Sequence, residues 1–390
     1  MLLGRAPDAS SLREAGVSKV EIVVAGAGAI GRRHVELIQR SERCRLLAIV
    51  DPADAAAELA ARAGVPIYSR LADMLSNHRP GGVVLATPNA VHVENALECI
   101  KAGVATLVEK PVAHSVAAAM QLCEAVEAAG GRLLVGHHRA HSPVLARARE
   151  VVRAGLLGTP VAVVGTALFC KPDAYFEQAA WRKEPGGGPI LINMIHEIGN
   201  LRSLCGEITS VHAFASNFTR RFSVEDTVAI NLRFANGALG TFMLSDTAGS
   251  ARSWEQTSGE DPAYPTHPDE DCYLIAGTCG SLAIPTMRLR RYEREEDRSW
   301  WKPFATTTLE LRRADPLQCQ LEHFCAVIRG EAEPLVTARD GLQNLRVVEA
   351  ISAAAQTGRV IEIVTDPRKS IAPDAIVGTP GSSQSTPSPL

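Results

Sequence analysis

The 390-residue chain has room for two domains of ordinary size, and at 46% hydrophobic and 21% charged residues it has the composition of a globular protein, not a disordered one. A formal net charge of −3 gives no electrostatic reason for a nucleic-acid or anionic-membrane partner, and no apolar run approaches the roughly 18–20 residues of a transmembrane helix. The nine cysteines are scattered without a C-x-x-C pair, which predicts reduced thiols in a cytoplasmic protein and neither zinc ligation nor a disulfide frame.

Residues 1–18 lack a continuous apolar stretch and a cleavage site, so a flexible extension is expected there, not a signal peptide. Next comes VEIVVA, a β-branched run that reads as a buried strand. Gly26, Gly28 and Gly31 follow as G-x-G-x-x-G, with Ala29 and Ile30 between the last two, and open an amphipathic helix. A second strand, LLAIV, ends in Asp51, 20 residues after Gly31. Strand, glycine turn, helix, strand and acid form the dinucleotide-binding pattern. The first glycine permits the tight turn, the second lets the backbone approach a pyrophosphate, and the third lets helix and strand pack. The helix N-terminus favours phosphate, and Asp51 can hold a ribose diol. A carboxylate there repels the 2′-phosphate of NADP, and the next basic residue is Arg62, so NAD is favoured over NADP.

Strand-like runs GGVVLA, ATLVE and RLLVG continue the alternation with helical patterns at Ala53–Ala63, His92–Ala102 and Ser115–Ala129, the last with Ser115 as its natural N-cap. This predicts a parallel, doubly wound α/β sheet over residues 19–140. Thr87, Asn89 and His92 follow GGVVLA, where such sheets bind ligands. They read either as cofactor contacts or as a turn and helix cap. Glu109-Lys110-Pro111 follows the next strand. Lys110 is placed to polarise a substrate oxygen, Glu109 to line the cofactor, and Pro111 to carry a cis bond at a tight turn. Gly136-His137-His138-Arg139 follows the fifth run and reads as a cleft wall. No Asp, Glu or Cys at ligand spacing accompanies the histidines, so no metal is expected.

The pattern changes beyond His138–Pro143. Longer β-type runs, VAVVGTALF, SVHAFASNF, TVAINLRF and ALGTFMLSD, predict a second domain over residues 141–365. It is of α+β type with a large, mostly antiparallel open sheet and an Asn236-Gly237 hairpin. Helices are expected to flank that sheet at Pro143–Ala154, Ile190–Leu204 and Asp315–Arg329, with a last one at Ala338–Thr357. Trp181-Arg182-Lys183 and three glycines precede His196, a residue suited to proton transfer. Asn193 and Ile192 lie three and four residues before it, on its face of a regular helix. Residues 366–390 are rich in Pro and Ser, and a disordered tail is expected.

The segments GAGAIGRRH, TPNAVH, EKPVA, VGHHRAHSP, RAGLLGTP, GGGPILINMIHEIG, LRFANGALGTF and TGRVIEI, in this order, resemble the Gfo/Idh/MocA family of glucose–fructose oxidoreductase and inositol dehydrogenase. The likeness spans about Val20 to Ile363. It implies a Rossmann domain followed by an α/β domain. It also implies NAD(P)-dependent hydride transfer at a secondary hydroxyl of a sugar, sugar acid or inositol, and a homodimer or homotetramer formed through the open sheet. Lys110 matches the lysine of E-K-P, and His196 matches the general acid/base. Many members carry aspartates four residues before and three after that histidine. Here these are Ile192 and Gly199, so Asn193 or Glu197 would take over part of the role.

The expected reaction has His196 as base, Lys110 stabilising the alkoxide and Asn193 assisting. Arg139, Lys171, Arg182 and Lys183 give a cation excess, which points to an anionic small-molecule substrate such as a sugar acid or a carboxylated cis-dihydrodiol. His138 and Arg139 with Trp181 and Arg182 are its expected contacts. Two other readings are a catalytically silent NAD-binding protein and an NAD-dependent glycosidase.

Overall fold

The computed structural model describes residues 18–365. The expected N-terminal extension (apart from Ser18) and the C-terminal tail lie outside the described residues. Six strands build the first sheet: β1 Val20–Ala25, β2 Cys44–Val50, β3 Ile67–Tyr68, β4 Gly82–Leu85, β5 Ala105–Glu109 and β6 Leu133–Gly136. Their order is β3-β2-β1-β4-β5-β6, and every pairing is parallel. The order reverses between β1 and β4, and a crevice for a ligand opens there. Of the strands in this sheet the sequence reading missed β3, two residues long and too short to show a period, and it also missed the helix Leu71–Asn77 that follows it. Helix Val116–Ala129 begins as expected, with the Ala118 N–H donating to Ser115 Oγ at 3.2 Å.

The second sheet has nine strands. They are β7 Pro160–Leu168, β8 Ile208–Ser216, β9 Thr227–Phe234, β10 Leu239–Ser245, β11 Tyr273–Gly277, β12 Gly280–Ile284, β13 Arg288–Arg291, β14 Ala305–Thr308 and β15 Ile361–Glu362. The order is β14-β13-β12-β11-β7-β10-β9-β8-β15, and all neighbours are antiparallel except β7 and β10. One face is buried on helices. The other leaves Val164, Phe214, Leu239, Met243 and Leu274 exposed. Among the described residues no helix is long and apolar enough to cross a membrane.

Two helices do not respect the expected domain boundary. Pro316–Arg329 was expected on the second sheet but packs on the first, where Leu321, Phe324 and Cys325 join the Rossmann core. The physical reason lies at the start of β4. A Cβ on Gly82 would come within 2.6 Å of Ile328 and 2.9 Å of Phe324, so the bare backbone leaves the helix its seat. Helix Ala338–Thr357 starts from a Thr337/Asp340 capping box and ties the two cores together. Leu342 and Leu345 enter the first core, and Val348 and Ile351 enter the second. The helix expected at Ile190–Leu204 is also not regular. It begins as a π-helical turn over Ile190–Met194 and becomes α-helical only from Ile195 to Cys205.

Candidate active site

The glycine turn lies at the β1–β4 crevice. Gly26 has φ +96°, and a Cβ there would meet the Ala86 carbonyl oxygen at 2.4 Å. A Cβ on Gly31 would lie 1.9 Å from the Gly26 oxygen. Gly28 differs, since nothing in the protein lies within 4 Å of its Cβ position. The protein itself does not require a glycine at that point, and the bare backbone leaves room for a group to lie against it. Gly28 caps helix Ala29–Arg40 without any side-chain cap, and the first turn carries no acidic residue. Its amides, including those of Ala29 and Ile30, form a cradle that fits a pyrophosphate. Asp51 accepts from the Ala27 N–H at 2.7 Å and the Ala53 N–H at 2.8 Å, which fixes the turn and leaves carboxylate lone pairs for a ribose diol.

The other expected cofactor residues divide. Thr87 and Asn89 stand at the mouth of the crevice after β4, with Thr87 Oγ1 3.4 Å from Asn95 Oδ1. His92 and Glu109 turn inward. The buried His92 ring lies 2.9 Å from the Pro111 carbonyl and 2.8 Å from the Thr87 carbonyl, so it braces the two loops instead of facing a ligand. Glu109 is buried on His34 at 2.8 Å and joins the first helix to β5. His34 was not singled out in the sequence, although it closes the segment GAGAIGRRH.

Lys110 follows Glu109 directly, and the Lys110–Pro111 bond after it is cis. Its Nζ donates to the Ile192 carbonyl at 3.1 Å, at the wide π-helical turn. Burial, the largest influence, lowers its pKa to about 8. Lys171 donates to Asn193 Oδ1 at 2.7 Å and lies 3.6 Å from Asp246. His196 stands at the start of the α-helical part. His138 packs edge-on against it at 5.0 Å between ring centroids, and His137 at 5.9 Å. Burial first, then Lys110 and Arg139, hold the His196 pKa well below its usual value. The imidazole is therefore neutral at physiological pH.

This arrangement sits on a two-part match to known proteins. Residues 20–137 match the family described as oxidoreductase family, NAD-binding Rossmann fold, and residues 149–363 match its C-terminal alpha/beta domain. The chain belongs to this Gfo/Idh/MocA oxidoreductase family. It is 26% identical to the rhizopine catabolism protein MocA of Rhizobium meliloti, over 86% of this chain and 94% of that protein. It is also 26% identical to an inositol 2-dehydrogenase of Rubrobacter xylanophilus, over 89% of this chain and 94% of that one. The WlbA dehydrogenase of Bordetella pertussis, solved in complex with NADH and UDP-GlcNAcA, shares the fold. Its TM-score is 0.72 at 24% identity, covering 90% of this chain and all of WlbA.

Within the Gfo/Idh/MocA frame, the aspartate positions at 192 and 199 have local explanations. A Cβ on Gly199 would press on Asn344 Nδ2 at 3.3 Å, and Asn344 holds His137 at 3.2 Å. At Ile192 the backbone carbonyl, not a side chain, meets Lys110. Among the described residues no carboxylate bonds to the ring, and His196 Nδ1 is buried without a partner.

Two of the four cations expected to bind an anionic substrate, Arg139 and Lys171, are paired with carboxylates. Arg139 is buried between Glu197, at 2.5 Å, and Glu255. Glu197 also accepts from Tyr273, which Asn200 contacts at 3.0 Å. Arg182 donates to the Tyr175 carbonyl and lies 3.8 Å over the Tyr175 ring. Lys171 has Asp246, and the Lys183 ammonium lies 5.4 Å from the Phe222 ring centroid. Trp181 is exposed beside this group. The reading of Arg139 as a free contact for the substrate is thus corrected, while Arg182 has no carboxylate partner among the described residues. The carboxylates that neutralise the cleft come from Glu255 and Asp246, distant in sequence and carrying no motif. Among the described residues no group of three or more His, Cys, Asp or Glu is placed to hold a metal ion.

Proposed function

We propose that the protein is an NAD-dependent dehydrogenase acting on a secondary hydroxyl of an uncharged sugar or cyclic polyol. The observation that carries this reading is the bond of Lys110 Nζ to the Ile192 carbonyl at 3.1 Å, which ties the lysine after β5 to the turn four residues before the buried His196. When bound, the nicotinamide takes up or returns the hydride. His196 removes the hydroxyl proton. Lys110 spends one N–H on the Ile192 carbonyl and has two left for the substrate oxygen, where they stabilise developing negative charge. Asn193, anchored by Lys171, orients a neighbouring hydroxyl.

NAD is favoured over NADP because Asp51 presents a carboxylate where a 2′-phosphate would sit. An uncharged ring is favoured over a sugar acid or carboxylated dihydrodiol because the buried Arg139 is matched by Glu197 and Glu255, and Lys171 by Asp246. The inositol dehydrogenase among the relatives supports the polyol reading. The apolar outer face of the second sheet supports assembly of copies through that face.

NADH formation over a panel of inositols, neutral sugars, sugar acids and cis-dihydrodiols, with NADP in parallel, tests the reading. A neutral ring with NAD is expected to be fastest. NAD binding without turnover on any member would favour the silent alternative.

A further inference from the structure

A cavity of about 570 Å³, a volume within the range of small-molecule sites, is lined in part by Lys171. Lys171 is the shared wall. Its ammonium holds Asn193, three residues before His196, while its side chain lines the cavity. The lining combines Phe176 and Phe222 with Thr247, Asp173, Glu177 and Lys183. Among the described residues neither Glu177 nor Lys183 forms an ion pair, so one acceptor and one donor of opposite charge remain available. Arg220, also in the wall, is neutralised by Asp246 at 2.8 Å and lies 4.4 Å over the Phe176 ring.

A polyanion would need unmatched cations here, and only Lys183 is unmatched. An uncharged hydroxylated ring fits better. Its hydroxyls can donate to Glu177 and accept from Lys183 and Thr247, and its C–H face can lie on Phe222. We infer that this cavity is a second glycosyl subsite. The preferred substrate is then a glycoside, with its reacting ring at His196 and its second ring in the cavity that Lys171 lines. This rests on the dehydrogenase reading above and narrows its substrate class.

The test compares kcat/KM of the full chain with NAD on free rings (myo-inositol, D-glucose, D-galactose) and on glycosides carrying them (galactinol, cellobiose, lactose). At least one glycoside should exceed its free ring by on the order of 10- to 100-fold, the worth of one or two hydrogen bonds to charged groups. Glu177→Gln and Phe222→Ala should each lower turnover of the glycoside about tenfold more than turnover of the free ring. Glu177 is exposed, so its variant carries the test even where Phe222→Ala fails to fold. Free rings used as well as every glycoside, or a glycoside preference that survives Glu177→Gln, would overturn the subsite alone. No turnover of rings and glycosides alike would overturn the dehydrogenase reading and the subsite with it.

Discussion

Arg139 and Glu197 form a buried ion pair one residue beyond His138 and His196, the two histidines whose rings meet edge-on. The pair joins the loop after β6 to the helix that carries His196. It holds the ring in place where no hydrogen bond to Nδ1 does so. Replacing Arg139 with Met leaves Glu197 uncompensated in the interior. A loss of about 3–5 kcal/mol is expected, measured by urea unfolding. Glu255→Gln, whose side chain is partly exposed, should cost far less stability and still lower kcat, since Arg139 keeps Glu197.

The pH profile of kcat/KM reports the free enzyme's acid and base. His196 stays neutral well below its usual pKa of 6.5, so the acid limb should lie below pH 6.5. Lys110 is protonated below about 8 and loses its stabilising charge above it, so the rate should fall with a midpoint near pH 8. Ile192→Asp places a carboxylate beside Lys110, which favours the ammonium and should move the alkaline limb upward. An alkaline limb that stays in place in this variant would contradict the assignment to Lys110.

Stability should also fall in acid. Burial, first among the causes, lowers His137 and His141 to about 3 and holds His138 and His196 well below 6.5. Between pH 6.5 and 3 the unfolded chain binds protons on these rings and the folded chain does not. Their contribution is therefore complete above pH 6.5 and is lost as the pH falls toward 3. Thermal unfolding midpoints at pH 7, 6, 5 and 4 check the direction.

Gly31→Ala places a methyl group 1.9 Å from the Gly26 oxygen, and NADH binding, followed by fluorescence titration, should be abolished. Asp51→Asn removes charge but keeps an acceptor for the Ala27 N–H. It should weaken NAD binding by about tenfold and narrow the preference over NADP, in line with a lost charged hydrogen bond.

The Rossmann half was legible because its evidence is local. Val20–Ala25, the three glycines and Asp51 lie within 32 residues, and each has a backbone reason to be there. The Asn236-Gly237 hairpin joins β9 to β10 as its turn chemistry predicts. What stayed hidden depends on contacts between distant segments. Nothing near Phe324 says that it will pack on Gly82, and nothing near Arg139 announces Glu197 and Glu255 as its partners. A cation count over the sequence therefore suggested an anionic substrate, and tertiary pairing with carboxylates accounts for Arg139 and Lys171 in that count. The π-helical turn before His196 was equally invisible, because its composition is that of an ordinary helix.

The most direct measurement is the turnover number of His196→Ala and Lys110→Ala with NAD and the best neutral ring or glycoside, beside an NADH titration of each variant. The account predicts kcat lower by about 10²- to 10⁴-fold for His196→Ala, with a large loss for Lys110→Ala and NADH affinity preserved in the histidine variant. Near-normal kcat in either variant would contradict it.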